Sequence, residues 1–260
     1  MIALTRGARP LLGPLVCLAL CAVLLAGCAA GEAKREATGM GVEPKSSPAD
    51  LYVNMAAAYY QRGQLDAALE RGLRALDEDR HSANAHYMLA IIYRRLGKQV
   101  EAEHHFGEAL ALEPDNPEFL NAQGTMLCAD QRYKAAIDLF QRAVANPLYK
   151  TPEVALMNAS DCSQRANHPT DAERYLRESL SRNANYPPAL LAMARLSYER
   201  DDAQTARDYL ARYGRVAQPT PAALLLAYRV ERKLGDKAAA KTLADVLRKR
   251  FPDAPQVMEL

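Results

Sequence analysis

A chain of 260 residues with 33 basic and 31 acidic side chains carries a formal net charge of +2, and removal of Arg6 and Arg9 with an N-terminal leader leaves 31 against 31. Balanced charge leaves no global field to gather nucleic acid or anionic lipid headgroups, so nucleic-acid binding is excluded as a main activity. Alanine and leucine dominate, tryptophan is absent and phenylalanine occurs four times; that palette favours close-packed helices over a sandwich or barrel.

Residues 1–27 read as a signal peptide, with Arg6 and Arg9 as the positive n-region and Leu11 to Leu25 as the apolar h-region. The run is short for a membrane span and no charge stops it. It closes on Leu25-Ala26-Gly27-Cys28, which resembles the lipobox of bacterial lipoproteins. That resemblance implies that Cys28 is lipidated, becomes the first mature residue and holds the chain to a membrane through more than one acyl chain. Ala29 follows in place of aspartate, and the sorting rule of that class then favours the outer membrane, with the protein facing the periplasm. An ordinary signal peptide with a coincidental cysteine is the alternative. The stretch after Cys28, "AAGEAKREATGMGVEPKSSP", has no hydrophobic periodicity. Residues 28–48 are therefore expected to form a lipidated, flexible tether with a reach of roughly 25 Å.

From residue 49 the chain repeats itself. Ala68, Ala102, Ala136, Ala172, Ala206 and Ala240 are spaced by 34, 34, 36, 34 and 34 residues. Four positions later stand Phe106, Phe140, Leu176 and Leu210; turn glycines recur as Gly63, Gly97 and Gly235, and prolines as Pro114 and Pro252. Residues 83–116 combine His86, Leu89-Ala90, Tyr93, Gly97, Ala102, Phe106 and Pro114, a pattern that resembles the tetratricopeptide repeat, a helix–turn–helix unit. Small residues in the alanine column let two antiparallel helices approach closely, and large ones fill the gap beside them. The expected fold is all-α, a right-handed superhelical solenoid of six repeats at 49–82, 83–116, 117–152, 153–186, 187–220 and 221–254, with a concave groove and a tail at 255–260. Pro147 and Pro152 account for the single interval of 36, and Ser197 and Glu231 replace the tyrosine of the pattern in the last two repeats.

Such an array leaves no room for a catalytic domain, and the HExxH, GxSxG, GxxxxGK and CxxC patterns are missing. No enzyme activity, catalytic residue or cofactor is expected. His104 and His105 near His86 invite a metal reading, but adjacent helical side chains point about 100° apart, and His86 takes the large-residue slot of its repeat; no metal site is expected. Cys128 and Cys162 lie late in the first helices of repeats three and four. In an oxidising compartment they can bridge, adding ~3 kcal/mol for a loop of this size, or they can pack as two buried thiols.

Groove-facing positions are expected at Val53, Ala57 and Tyr60 in the first repeat and at Tyr87, Ile91, Arg94 and Arg95 in the second. Apolar and aromatic side chains with two arginines suit an extended or helical segment of a client protein. Replacing Tyr60 or Tyr87 by a charged residue is expected to impair binding with helical content intact. Further along, Arg195, Arg229, Arg232 and Lys233 make the groove basic. A chaperone-type carboxylate clamp needs Lys and Asn where this chain has Val53/Ala57 and Tyr87/Ile91, so that partner class is excluded.

The segment "NAQGTMLCADQRYKAAIDLFQRAVANPLYKTPEVALMNASDC" at 121–162 resembles the middle of the PilF/PilW type IV pilus biogenesis lipoproteins. Shared features are Leu-Cys before the third turn, the Asn-Pro-x-Tyr connection and Asn-Ala-x-x-Cys in repeat four. Residues 94–124 and 247–256, the lipobox and the repeat count also fit; Gln123 departs where an aromatic residue is expected. The resemblance implies a pilotin, a monomeric outer-membrane lipoprotein that binds subunits of the type IV pilus secretin and promotes their localisation and multimerisation. A general periplasmic repeat scaffold, serving outer-membrane protein assembly or acting as a protease adapter, is the alternative.

Overall fold

The computed structural model describes residues 47–260; the expected signal peptide, the lipidation site Cys28 and nearly all of the tether lie outside the described residues. Twelve α-helices follow one another among the described residues: α1 (Pro48–Gln61), α2 (Leu65–Glu78), α3 (Ala83–Arg95), α4 (Gln99–Leu112), α5 (Pro117–Ala129), α6 (Tyr133–Ala145), α7 (Pro152–Arg165), α8 (Pro169–Arg182), α9 (Pro187–Glu199), α10 (Ala203–Val216), α11 (Pro221–Leu234) and α12 (Lys237–Arg250). They pair as six antiparallel hairpins, α1 with α2 through to α11 with α12, and each hairpin packs on the next. The described residues contain no strand. The all-α repeat solenoid read from the alanine spacing is the fold of the protein.

Local chemistry sets the helix boundaries. Five of the six first helices begin with proline, at Pro48, Pro117, Pro152, Pro187 and Pro221. A missing N–H costs nothing at that position, and the fixed φ already suits a helix. Ser47 and Asp50 close a reciprocal capping box on α1, and Ser82, Asn116 and Thr220 accept from backbone N–H groups at the starts of α3, α5 and α11.

The turn inside each hairpin needs one residue in the left-handed region. Gly63, Gly97 and Gly235 supply it at φ of 73°, 73° and 83°. The same place in the other hairpins is held by Gln131, Asn167 and Asp201 at 63°, 61° and 69°. The turn is thus conformationally uniform although the glycine is not.

All six alanines of the spacing column are buried. A second small column runs through Ala75, Ala109, Ala143 and Ser179, and a third through Ala56, Ala90, Gly124, Ser160 and Ala194. At Gly124 a Cβ would stand 2.8 Å from a ring carbon of Phe140, so α5 and α6 touch there almost backbone to ring. Phe106, Phe119 and Phe140 fill the interior beside these contacts.

The long interval folds into an ordered corner. Asn146 Nδ2 donates to the Asp115 carbonyl at 2.8 Å, Leu148 N–H donates to Asn146 Oδ1 at 2.9 Å, and the Tyr149 side chain is buried. Just beyond it Cys128 on α5 and Cys162 on α7 form a disulfide, with Cα atoms 5.7 Å apart. The chain end is likewise docked: Pro255–Glu259 forms a 3₁₀ turn, Val257 and Leu260 pack on Leu224, Leu225 and Leu247, and Glu259 pairs with Arg229.

Candidate functional site

The first helices of neighbouring hairpins touch, α1 with α3, α3 with α5, α5 with α7 and α9 with α11, and the expected groove residues lie on α1 and α3. Val53, Ala57, Tyr60 and Ile91 gather around buried Ala56, Ala68, Met88 and Ile92. Tyr87 and Ile91 also pack on the larger core that contains Phe106 and Phe140, so Ile91 joins the two clusters. Tyr87 is not a free groove residue. Its ring stacks on Phe119 at 4.6 Å and meets Phe106 edge-on at 6.2 Å. Burial pushes its phenol up from the ordinary value, and the Glu118 carboxylate adds to this while Arg94 opposes it. A charged residue at 87 would meet this aromatic contact as well as the open face of the helix. Arg94 and Arg95 lie outside both clusters, with Arg95 exposed.

Tyr60 and Tyr149 both act electrostatically on the Tyr87 phenol, and Tyr149 in turn is coupled to Tyr186. The phenols of Tyr87, Tyr149 and Tyr186 are all raised chiefly by burial. Tyr149 and Tyr186 stand in connections between hairpins, where helix periodicity gave no reason to expect them to pack on the core.

Beyond this aromatic part α5 presents Asn121 and Thr125 at the same helical positions. Asn158 Nδ2 donates to Asn121 Oδ1 at 2.9 Å, linking α7 to α5. Of the four residues of the expected basic end, Arg229 pairs with Glu259 and Lys233 with Asp201, while the Arg232 guanidinium lies 5.6 Å from the Tyr228 ring centre and keeps its charge, as does Arg195.

On the opposite surface, a cleft of about 900 Å³ opens between α6 and α8, bordered by Tyr133, Ile137, Arg174 and Tyr175. It is spanned by a hydrogen bond of 2.7 Å from Gln141 Nε2 to the Tyr175 hydroxyl. This is the junction of the 36-residue interval, the one signal in the sequence that could have located it.

The histidines form a structural contact. His86 Nε2 lies 3.2 Å from the Arg80 carbonyl, and its Nδ1 lies 3.0 Å from Nδ1 of His105. With Nε2–H given to the carbonyl, His86 Nδ1 accepts and His105 Nδ1–H donates. Tyr93 stacks on His105 at 5.4 Å. Burial, then His86 and His104, lowers the His105 pKa to about 4. Among the described residues no group of three His, Cys, Asp or Glu side chains could hold a metal ion, and no helix is long and apolar enough to cross a membrane.

Two tetratricopeptide-repeat family models match the chain, over residues 83–116 and 100–149. Together with the six stacked hairpins they define the fold class, an all-α tetratricopeptide-repeat solenoid. Similarity at full length goes further. The type IV pilus assembly protein PilF of Pseudomonas aeruginosa is 28% identical over 241 residues, 92% of this chain and 94% of that protein. The crystal structure of PilW, described as a widely conserved type IV pilus biogenesis factor, superposes with a TM-score of 0.73 at 28% identity, covering 81% of this chain and 97% of that one. The structure of P. aeruginosa PilF does so at 0.73 and 27% identity, covering 81% and 95%. Along most of its length the chain is therefore similar to PilF and PilW both in sequence and in fold.

Proposed function

We propose that the protein acts in type IV pilus biogenesis as a pilotin: anchored by lipid on Cys28 at the outer membrane, it binds secretin subunits in its groove and promotes their localisation and multimerisation. The observation that carries this reading is similarity to PilF over 92% of the chain, with superposition on 97% of the PilW chain and 95% of the PilF chain, and not merely a shared repeat motif. The groove chemistry supports it. Val53, Ala57, Tyr60 and Ile91 expose an apolar and aromatic surface on rigid helices, flanked by Arg94 and Arg95, and aromatic side chains with arginine are the residues that anchor protein partners. The scaffold presents a rigid surface, and the expected tether leaves it free to reach a subunit arriving in the periplasm.

The test is the level of SDS-resistant secretin multimers in membrane fractions of the parent strain, a deletion strain and a Cys28→Ala strain. Loss of multimers on deletion, with assembled rings mislocalised in Cys28→Ala, is the expected result. Normal multimers in the outer membrane of all three strains would reject the role.

A further inference from the structure

The positions that give Val53/Ala57 and Tyr87/Ile91 give Asn121/Thr125, Met157/Asp161 and Leu191/Arg195 further along the stack. Between α7 and α9 they enclose a cleft of about 200 Å³, with Met157, Pro188, Leu191 and Ala192 on its apolar side and Ser160, Asp161, Gln164 and Arg195 on its polar side. Ser160 is 1% exposed, and its hydroxyl has no hydrogen-bond partner among the described residues, whereas buried hydroxyls in folded proteins are ordinarily satisfied. Arg195 is exposed and has no ion-pair partner among the described residues, whereas Asp161, on the same lining, is held by Arg165 at 3.2 Å. The mouth of the cleft therefore carries an uncompensated positive charge.

Size and chemistry narrow what fits. A space of about 200 Å³ admits an aliphatic side chain but no main chain, so the backbone of a partner lies across the mouth, where an extended segment, unlike a helix, has N–H and C=O groups left to pair. Beside the cleft, the Asn158–Asn121 contact uses one donor and one acceptor, leaving the Asn158 carbonyl and the Asn121 amide hydrogens to face a peptide main chain.

We propose that the α7–α9 cleft is the pocket for an extended segment of the partner protein bearing an aliphatic side chain next to a carboxylate. The aliphatic group enters between Met157 and Leu191, the carboxylate meets the Arg195 guanidinium, and the main chain runs along the Asn121–Asn158 pair. This rests on the reading of the groove as the partner-binding face, and it makes the carboxylate at this point the specificity element.

The experiment uses the full chain in detergent and a nonapeptide library randomised at every position, so that no secretin sequence is assumed. The wild type enriches Asp or Glu adjacent to Leu, Ile or Met, and bound peptides shift the Leu191 methyl resonances. Changing the acidic residue of a selected peptide to its amide weakens binding about tenfold, and Arg195→Gln does the same. The two changes together weaken it no more than either alone, as a double-mutant cycle requires of one contact. Arg195 is exposed, so its replacement tests charge and not folding. An absence of acidic enrichment, or indifference of the selected peptides to Arg195→Gln, overturns the pocket whatever the secretin multimers do. Acidic enrichment in a protein whose deletion leaves those multimers intact keeps the pocket and removes the pilotin.

Discussion

Gln131, Asn167 and Asp201 hold a conformation that an L-residue adopts at a cost of roughly 1–2 kcal/mol. Replacing each by glycine therefore stabilises the protein by about 0.5–1 kcal/mol, read as a raised urea midpoint at unchanged slope. The converse change at Gly124 drives a Cβ to 2.8 Å from the Phe140 ring, and Gly124→Ala lowers stability by about 1–3 kcal/mol in the same measurement. His105 adds a pH dependence. Its pKa falls from an ordinary 6.5 to about 4 in the fold, so the neutral form stabilises the native state fully above about 6.5, and that contribution is lost as pH falls through 4. The wild-type melting temperature therefore drops across this window, and His105→Gln flattens the drop without abolishing folding. These residues also mark how far the sequence is legible at this scale. Three of the six turns announce themselves by glycine; the others do not, because Asn, Asp and even Gln tolerate positive φ when the flanking helices impose it.

At the level of helices, spacing did most of the work. A column of alanines locates every hairpin because close helix approach admits little else. The cysteine pair needed more. Cys162 lies two positions short of the place that would match Cys128 across a 36-residue interval, and only the Asn146 corner shows how α7 comes to present it beside α5. The bridge closes a loop of 34 residues; its removal in Cys128→Ala/Cys162→Ala, or reduction of the wild type, is expected to cost about 2–4 kcal/mol. Comparing urea unfolding with and without reductant, using the double variant as the control that reductant leaves unchanged, checks this. Tyr149 and Tyr186 are illegible for a related reason: residues in connections follow no helical period, so their packing on the core emerges only once the helices are stacked.

For the whole molecule, stability is a sum over hairpins and their junctions, so damage at one end stays local. Deleting residues 255–260 uncovers Leu224, Leu225 and Leu247 and releases Arg229. Hydrogen exchange should then lose protection in α11 and α12 while α1 to α6 keep theirs. Equal loss throughout would mean that the stack melts as a single unit. The docked end was invisible to repeat analysis, since residues 255–260 belong to no period and read as a tail. That seal gives the array a direction of growth. A hairpin appended after Leu260 would find the last apolar face already occupied by Val257 and Leu260, whereas one duplicated inside the stack would inherit a complete neighbour on either side. Lengthened versions of this scaffold, whether arising by gene duplication or made as a ruler of adjustable span, should therefore carry their additional repeats internally and keep the closing segment as it is.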